Sequence, residues 1–61
     1  MKRIIREHPA LFLGELREDL ERVYAEDEKG NRLNIRVVGT EDVISETLIE
    51  YPNEVEFEIV E

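Results

Sequence analysis

Val23-Tyr24-Ala25-Glu26-Asp27-Glu28-Lys29-Gly30-Asn31-Arg32-Leu33-Asn34-Ile35-Arg36-Val37 reads as a β-hairpin in which turn chemistry and hydrophobic register agree. Asp27 and Gly30 bracket Glu28-Lys29, the spacing of a type I turn closed by a glycine in the left-handed region. Asn31 suits the bulge that follows. With the bulge absorbing Asn31, Ala25 opposes Leu33, Val23 opposes Ile35, and Glu21 lies near Val37. Val23, Ala25, Leu33, Ile35 and Val37 then share one face, and Tyr24, Glu26, Arg32, Asn34 and Arg36 take the other. The hairpin anchors an architecture but names no activity.

Upstream, Lys2 to Glu7 is a short strand centred on Ile4 and Ile5. Pro9 suits the first turn of a helix, where its missing N–H is no loss. From there Leu13, Leu16, Leu20 and Val23 recur at spacings of three and four, an amphipathic helix pattern that Gly14 weakens and that must end near Glu21. Downstream, Thr40 suits a helix N-cap with Glu41 and Asp42 in the first turn. Val43, Ile44, Thr47, Leu48 and Tyr51 mark one face of that second helix, and Pro52-Asn53 stops it. The chain closes on a strand over residues 54–61, with Val55, Phe57 and Ile59 inward and Glu54, Glu56 and Glu58 outward.

The resulting order, βαββαβ in a single domain of residues 1–61, predicts a two-layer α+β sandwich of the ferredoxin-like type. Both helices lie on one face of an antiparallel sheet, and two of the first strand's Lys2, Arg3 and Arg6, depending on register, lie beside Glu54, Glu56 and Glu58 of the closing strand. A small SH3- or OB-like β-barrel is the alternative. Phe12, Gly14, Leu16 and Leu20 also alternate, and whether residues 10–20 are helix or strand stays open. The eight closing residues resemble one strand of the cold-shock OB-fold family, which implies shared strand patterning without that family's aromatic, basic nucleic-acid platform.

Charge narrows the function classes. Residues 40–61 carry eight acids and no base, and the whole chain is at −8. Such a field opposes nucleic acid and anionic lipid. Acidity of this kind keeps a small domain soluble, or it docks a basic protein partner. Without cysteine, thiol chemistry and thiolate metal sites are excluded. No apolar run approaches the roughly 20 residues of a membrane span, and the N-terminus lacks a signal-peptide apolar core, so a cytoplasmic protein is expected.

Catalytic constellations are sparse. His8 is the one side chain that titrates near neutrality unperturbed, and Ser45, the one serine, falls far from it in sequence. Asp27, Lys29 and Asn31 begin like a calcium loop, but Arg32 and Val38 stand where its glycine and glutamate belong. Asp42, Glu46 and Glu50 would form a like-charge column on a helix. No enzyme activity, metal or cofactor is expected. The Ala10-Leu11-Phe12-Leu13 run is different in kind: a helix buries only part of that circumference, so either Leu11 and Phe12 both cap the end of the sheet in a small core, or one of them is left for a homodimer seam or a partner.

The composition resembles that of designed mini-proteins as a class: no cysteine, tryptophan or glutamine, little serine or threonine, dense Glu and Arg, and an idealised hairpin. That resemblance implies a small soluble scaffold without catalysis. His8-Pro9, Gly14 and the apolar run depart from an idealised design. They favour the second reading, a natural acidic protein–protein interaction module or a homodimerising domain that uses Leu11 and Phe12 or the Glu54, Glu56, Glu58 edge.

Overall fold

The computed structural model describes all 61 residues, and every regular element in it is a strand. In chain order these are β1 (Arg3–Glu7), β2 (Ala10–Phe12), β3 (Glu15–Arg17), β4 (Leu20–Glu26), β5 (Arg32–Val37), β6 (Glu46–Glu50) and β7 (Phe57–Val60). The hairpin read from residues 23–37 is β4–β5, with Ala25 opposite Leu33 and Glu26 opposite Arg32. Its turn closes as the residue types require. The Gly30 amide donates to the Asp27 carbonyl at 3.1 Å, and Gly30 sits at φ +83°.

Beyond Leu33 the two strands part. β5 pairs β7 (Ile35 opposite Ile59, Val37 opposite Phe57), while the vacated edge of β4 is taken by β6, with Val23 opposite Thr47 and Glu21 opposite Ile49. Ile44, just ahead of β6, bridges Ile35 with both amides donating across at 2.8 Å. β1 covers the opposite edge of β4, from Arg3 opposite Glu26 to Glu7 opposite Arg22. The split curls the antiparallel sheet into a half-barrel. Its concave face buries Val23, Ala25 and Ile35 completely, ringed by Ile4, Leu33, Ile44, Ile49, Phe57 and Ile59. The β2–β3 ribbon stands apart from this sheet.

The α+β, ferredoxin-like expectation is therefore wrong: the chain contains no helix, and the protein is all-β. Residues 9–21 fail as a helix because Leu13 and Gly14 both take positive φ (52° and 80°), reversing the chain in two residues. The leucines spaced at three and four thus belong to different elements: Leu13 to a turn, Leu16 to β3, Leu20 to β4. The second expected helix fails for another reason. The Thr40 hydroxyl donates back to the Val37 carbonyl at 2.8 Å, closing a turn over Gly39 (φ +93°) instead of capping forward. The β-branched residues that follow favour a pleated strand. Asp42, Glu46 and Glu50 consequently form no helical column.

The strand neighbours also differ from expectation. β4 and β5 are central, and the closing strand shortens to Phe57–Val60 beside β5. Ahead of it the Val55 amide donates to Asn53 Oδ1 at 2.8 Å, a local turn that holds residues 53–55 out of the ladder, while the Glu56 carbonyl still accepts from the Val38 amide at 3.0 Å. Most of the basic N-terminus pairs with β4, as Arg3 does with Glu26 at 3.1 Å and Arg6 with Glu21. Lys2 reaches Glu61, and Glu58 pairs with Arg36. The curl lies nearer the barrel alternative, except that residues 10–17 form a separate ribbon rather than a bent barrel strand. Both X–Pro bonds, His8-Pro9 and Tyr51-Pro52, are cis.

Candidate interaction surface

The β2–β3 ribbon is where sequence and structure part company with the rules of burial. A two-residue loop with positive φ at both positions has the signature of a type I′ turn, whose preferred residues are Asn, Asp and Gly. Gly14 fits. Leu13 does not, because a side chain in the left-handed region brings Cβ against the following carbonyl. Behind the turn, Phe12 opposes Glu15, Leu11 opposes Leu16 and Ala10 opposes Arg17. Alternation sends Ala10 toward β4, where it is buried, and turns Leu11 and Leu16 together to the other side. One step back from a two-residue turn, such a pair is of the type whose side chains approach most closely. The leucines stand largely open, Leu13 86% exposed, Leu16 65% and Leu11 63%, whereas Phe12 is mostly covered at 37%.

The root of the ribbon, by contrast, is firmly held. The His8 ring stacks on Tyr51 with centroids 3.4 Å apart and an interplanar angle of 15°. Its Nε2 lies 2.7 Å from the Glu18 carbonyl, and because a carbonyl only accepts, that nitrogen carries the hydrogen. The Tyr51 amide donates to the Asp19 carbonyl at 2.9 Å. Arg17 grips Asp19 with two parallel bonds, Nε at 2.9 Å and Nη2 at 2.6 Å. Those bonds hold the Asp19 carboxyl below its ordinary range and raise the Arg17 guanidinium. A pinned root and a bare tip make the ribbon a presented element.

Charge around it is one-sided. Every Lys and Arg except Lys29 is in an ion pair within the chain, and Lys29 lies in the distant β4–β5 turn. Glu15 and Glu18 on the ribbon, and Glu50 and Glu54 beside the Tyr51 root, pair with no cation. Of the residues expected to form an interaction surface, Leu11 lies open beside Leu16, while alternation puts Phe12, 37% exposed, on the same side of the ribbon as Ala10. Glu54 and Glu56 are exposed in the irregular stretch before β7, and Glu58 is engaged by Arg36. Leu13 and Leu16 escaped the sequence reading as surface residues. The signal that could have found them is a bulky apolar residue immediately before a glycine at hairpin spacing.

Elsewhere the chemistry is already occupied. Tyr24 lies on the central strand β4 rather than at an edge, under the guanidiniums of Arg22 (4.8 Å) and Arg32 (4.3 Å). Both arginines also reach Glu46, at 3.5 and 3.6 Å. His8 faces an aromatic ring and a carbonyl, while Ser45 precedes β6 at the end away from Tyr51, roughly 20 Å along the strand. No group of three or more His, Asp or Glu side chains is arranged to hold a metal ion. The one groove, lined by Met1, Arg3 and residues 26–30, has two ion pairs across it, the Met1 amine 2.8 Å from Glu28 and Arg3 3.1 Å from Glu26, while Lys29 stands unpaired. Comparison with protein-family models, curated proteins and solved structures finds no match to this chain.

Proposed function

We propose that this chain is a soluble, intracellular, non-catalytic protein-binding module whose contact element is the β2–β3 hairpin. The observation that carries this reading is Leu13, the bulky residue at the turn position least suited to it and among the most exposed apolar side chains of the chain. Holding a non-glycine residue in the left-handed region costs about 1–2 kcal/mol. A leucine there gains nothing from the core in return. Strain kept at an exposed, apolar and rigidly rooted position fits a contact made with another molecule, where a buried leucine contributes about 1.5–3 kcal/mol. A bare scaffold has no use for it, since Asn at position 13 would serve the fold better.

Stability measurements test this directly. Leu13→Asn is expected to raise the free energy of unfolding by about 1 kcal/mol. Leu16→Ser is expected to leave it within about 0.5 kcal/mol of the parent. Urea unfolding of both variants provides the check. A loss of more than about 2 kcal/mol in either would mean that the leucines belong to the core and that the hairpin is not a binding element.

A further inference from the structure

The shape and charge of the hairpin specify its occupant. We infer that it docks into a concave apolar site on a different protein, rimmed by Lys or Arg, rather than onto a second copy of this chain. This rests on the hairpin being a contact element, and adds the chemistry of what it contacts.

Two features of the hairpin exclude self-association as the purpose. The open apolar surface of Leu11 and Leu16 on one side of the ribbon, with Leu13 at its tip, amounts to roughly a few hundred Å² at most. A stable interface needs about 800 Å² from each partner. Two protruding tips meeting end to end add little beyond the patches themselves, whereas a cleft that receives the hairpin also covers its flanks. Charge points the same way. A second copy would bring another −8 and set Glu15, Glu18, Glu50 and Glu54 against the same four residues. Seven of the eight Lys and Arg residues are in ion pairs, so no free cation of this chain is at hand to relieve that repulsion. A basic rim relieves it fully. Charges at the margin of an apolar contact steer encounter and reject wrong partners, while the desolvated centre supplies affinity. Leucines at the centre with uncompensated glutamates around them have that arrangement.

The test uses the full chain, labelled with nitrogen-15, and three amphipathic peptides of about 18 residues, or five helical turns. All share one leucine face; their polar faces are Lys, Gln or Glu. The expected result is that the Lys peptide shifts the amides of Leu11, Leu13 and Leu16 and binds at least about tenfold tighter than the Gln peptide. That margin should shrink several-fold between roughly 0.05 and 0.5 M salt, as screening requires. The triple variant Glu15→Lys, Glu18→Lys, Glu50→Lys should transfer the preference to the Glu peptide. The pair Leu13→Asn, Leu16→Ser should weaken every peptide about tenfold or more.

Equal binding of all three peptides at the hairpin would sink the basic partner and leave the contact element standing. Lys-peptide binding that ignores the leucine variants and shifts Glu41, Asp42 and Glu56 instead would be bulk charge attraction, and would sink both. A concentration-dependent dimer in sedimentation that shifts the same leucines would assign the hairpin to a second copy. Tighter binding to phosphatidylcholine vesicles than to any peptide would assign it to a lipid surface. Either of these last two results overturns the inference.

Discussion

Asp27 shows how much one side chain does for a turn in a chain this short. Its Oδ1 accepts from the backbone amides of Lys29 and Asn31, each at 2.9 Å, while Oδ2 accepts from the Asn31 side chain at 3.3 Å. These bonds, the one from the Asn31 amide first, then that from Lys29 and the Asn31 side chain, with the N-terminal charge nearby, hold the carboxyl below its ordinary range despite a small opposing desolvation. The sign of the linkage follows. A carboxyl whose pKa is depressed in the folded state contributes stability that is present above the unfolded value of about 3.9 and is lost as pH falls through the folded value. Asp27→Asn keeps the acceptor oxygen and removes the charge, so the parent should unfold at higher urea than the variant at pH 7. That gap should be narrower at about pH 2.5, below the unfolded value, and close as pH falls through the folded one. Paired urea titrations at the two pH values provide the check, and a gap that is as wide in acid would place the contribution in hydrogen-bond geometry rather than charge. Asp19 titrates in the same direction but is common to both proteins.

Among the elements, the β4–β5 hairpin was legible next to its turn because two signals of different origin coincided, Asp27 and Gly30 for the turn and Ala25 with Leu33 for the register, whereas the expected pairing of Val23 with Ile35 is not made: Val23 lies opposite Thr47 and Ile35 opposite Ile59. Residues 9–21 carried only a spacing, and spacing is degenerate when short elements follow one another. Leu13, Leu16 and Leu20 mimic a helical stripe, but they occupy a turn, an exposed strand and a sheet strand. The Leu13-Gly14 reversal was illegible since leucine is not a turn residue. Residues 43–49 were misread through a capping pattern at Thr40, although Val43, Ile44, Thr47 and Ile49 carry β-branched side chains better suited to a sheet. Of the candidate site, Leu11 and Phe12 could be anticipated from the four-residue apolar run, while the rooted ribbon that exposes them depends on contacts to Glu18, Asp19 and Tyr51. Strand alternation gives this element its own test. Ala10 is 1% exposed beneath β2, whereas Leu11 next to it is open. Ala10→Leu should overpack the join to β4 and cost about 1–3 kcal/mol. Raised amide exchange confined to residues 8–19 should accompany the loss. A neutral Ala10→Leu would mean that the ribbon does not pack on the sheet.

At the scale of the whole molecule, the half-barrel has a core too small to hold itself and closes its seam with a side chain. Only Ala10, Glu21, Val23, Ala25 and Ile35 are buried, and one of these five is a glutamate, 5% exposed. β1 and β7 lie near each other without forming a ladder. Arg6 spans the gap. It pairs with Glu21, donates to the carbonyls of Asn53 and Val55 at 2.9 Å each, and lies over the Phe57 ring at 5.6 Å. One guanidinium thus neutralises the buried carboxylate and satisfies two carbonyls that a strand ladder would otherwise have bonded. Removing it leaves the buried Glu21 carboxylate without its partner, so Arg6→Met should cost about 3 kcal/mol. In a domain of this size that is a large share of a total near 5 kcal/mol. Replacing a buried ion pair by apolar residues is often close to neutral, so if the pair alone mattered, Arg6→Met with Glu21→Leu would restore the parent. The seam predicts otherwise. The double variant should recover the part that came from the orphaned Glu21 and still lie about 1–2 kcal/mol below the parent, because the two bonds that tie the Asn53 and Val55 carbonyls to β1 are exchanged for bonds to water. Urea midpoints for the cycle, with amide exchange over residues 53–60, distinguish the two. Full recovery of stability and of protection in β7 would show that the half-barrel closes without Arg6, through packing of Phe57 and Ile59 on the core alone.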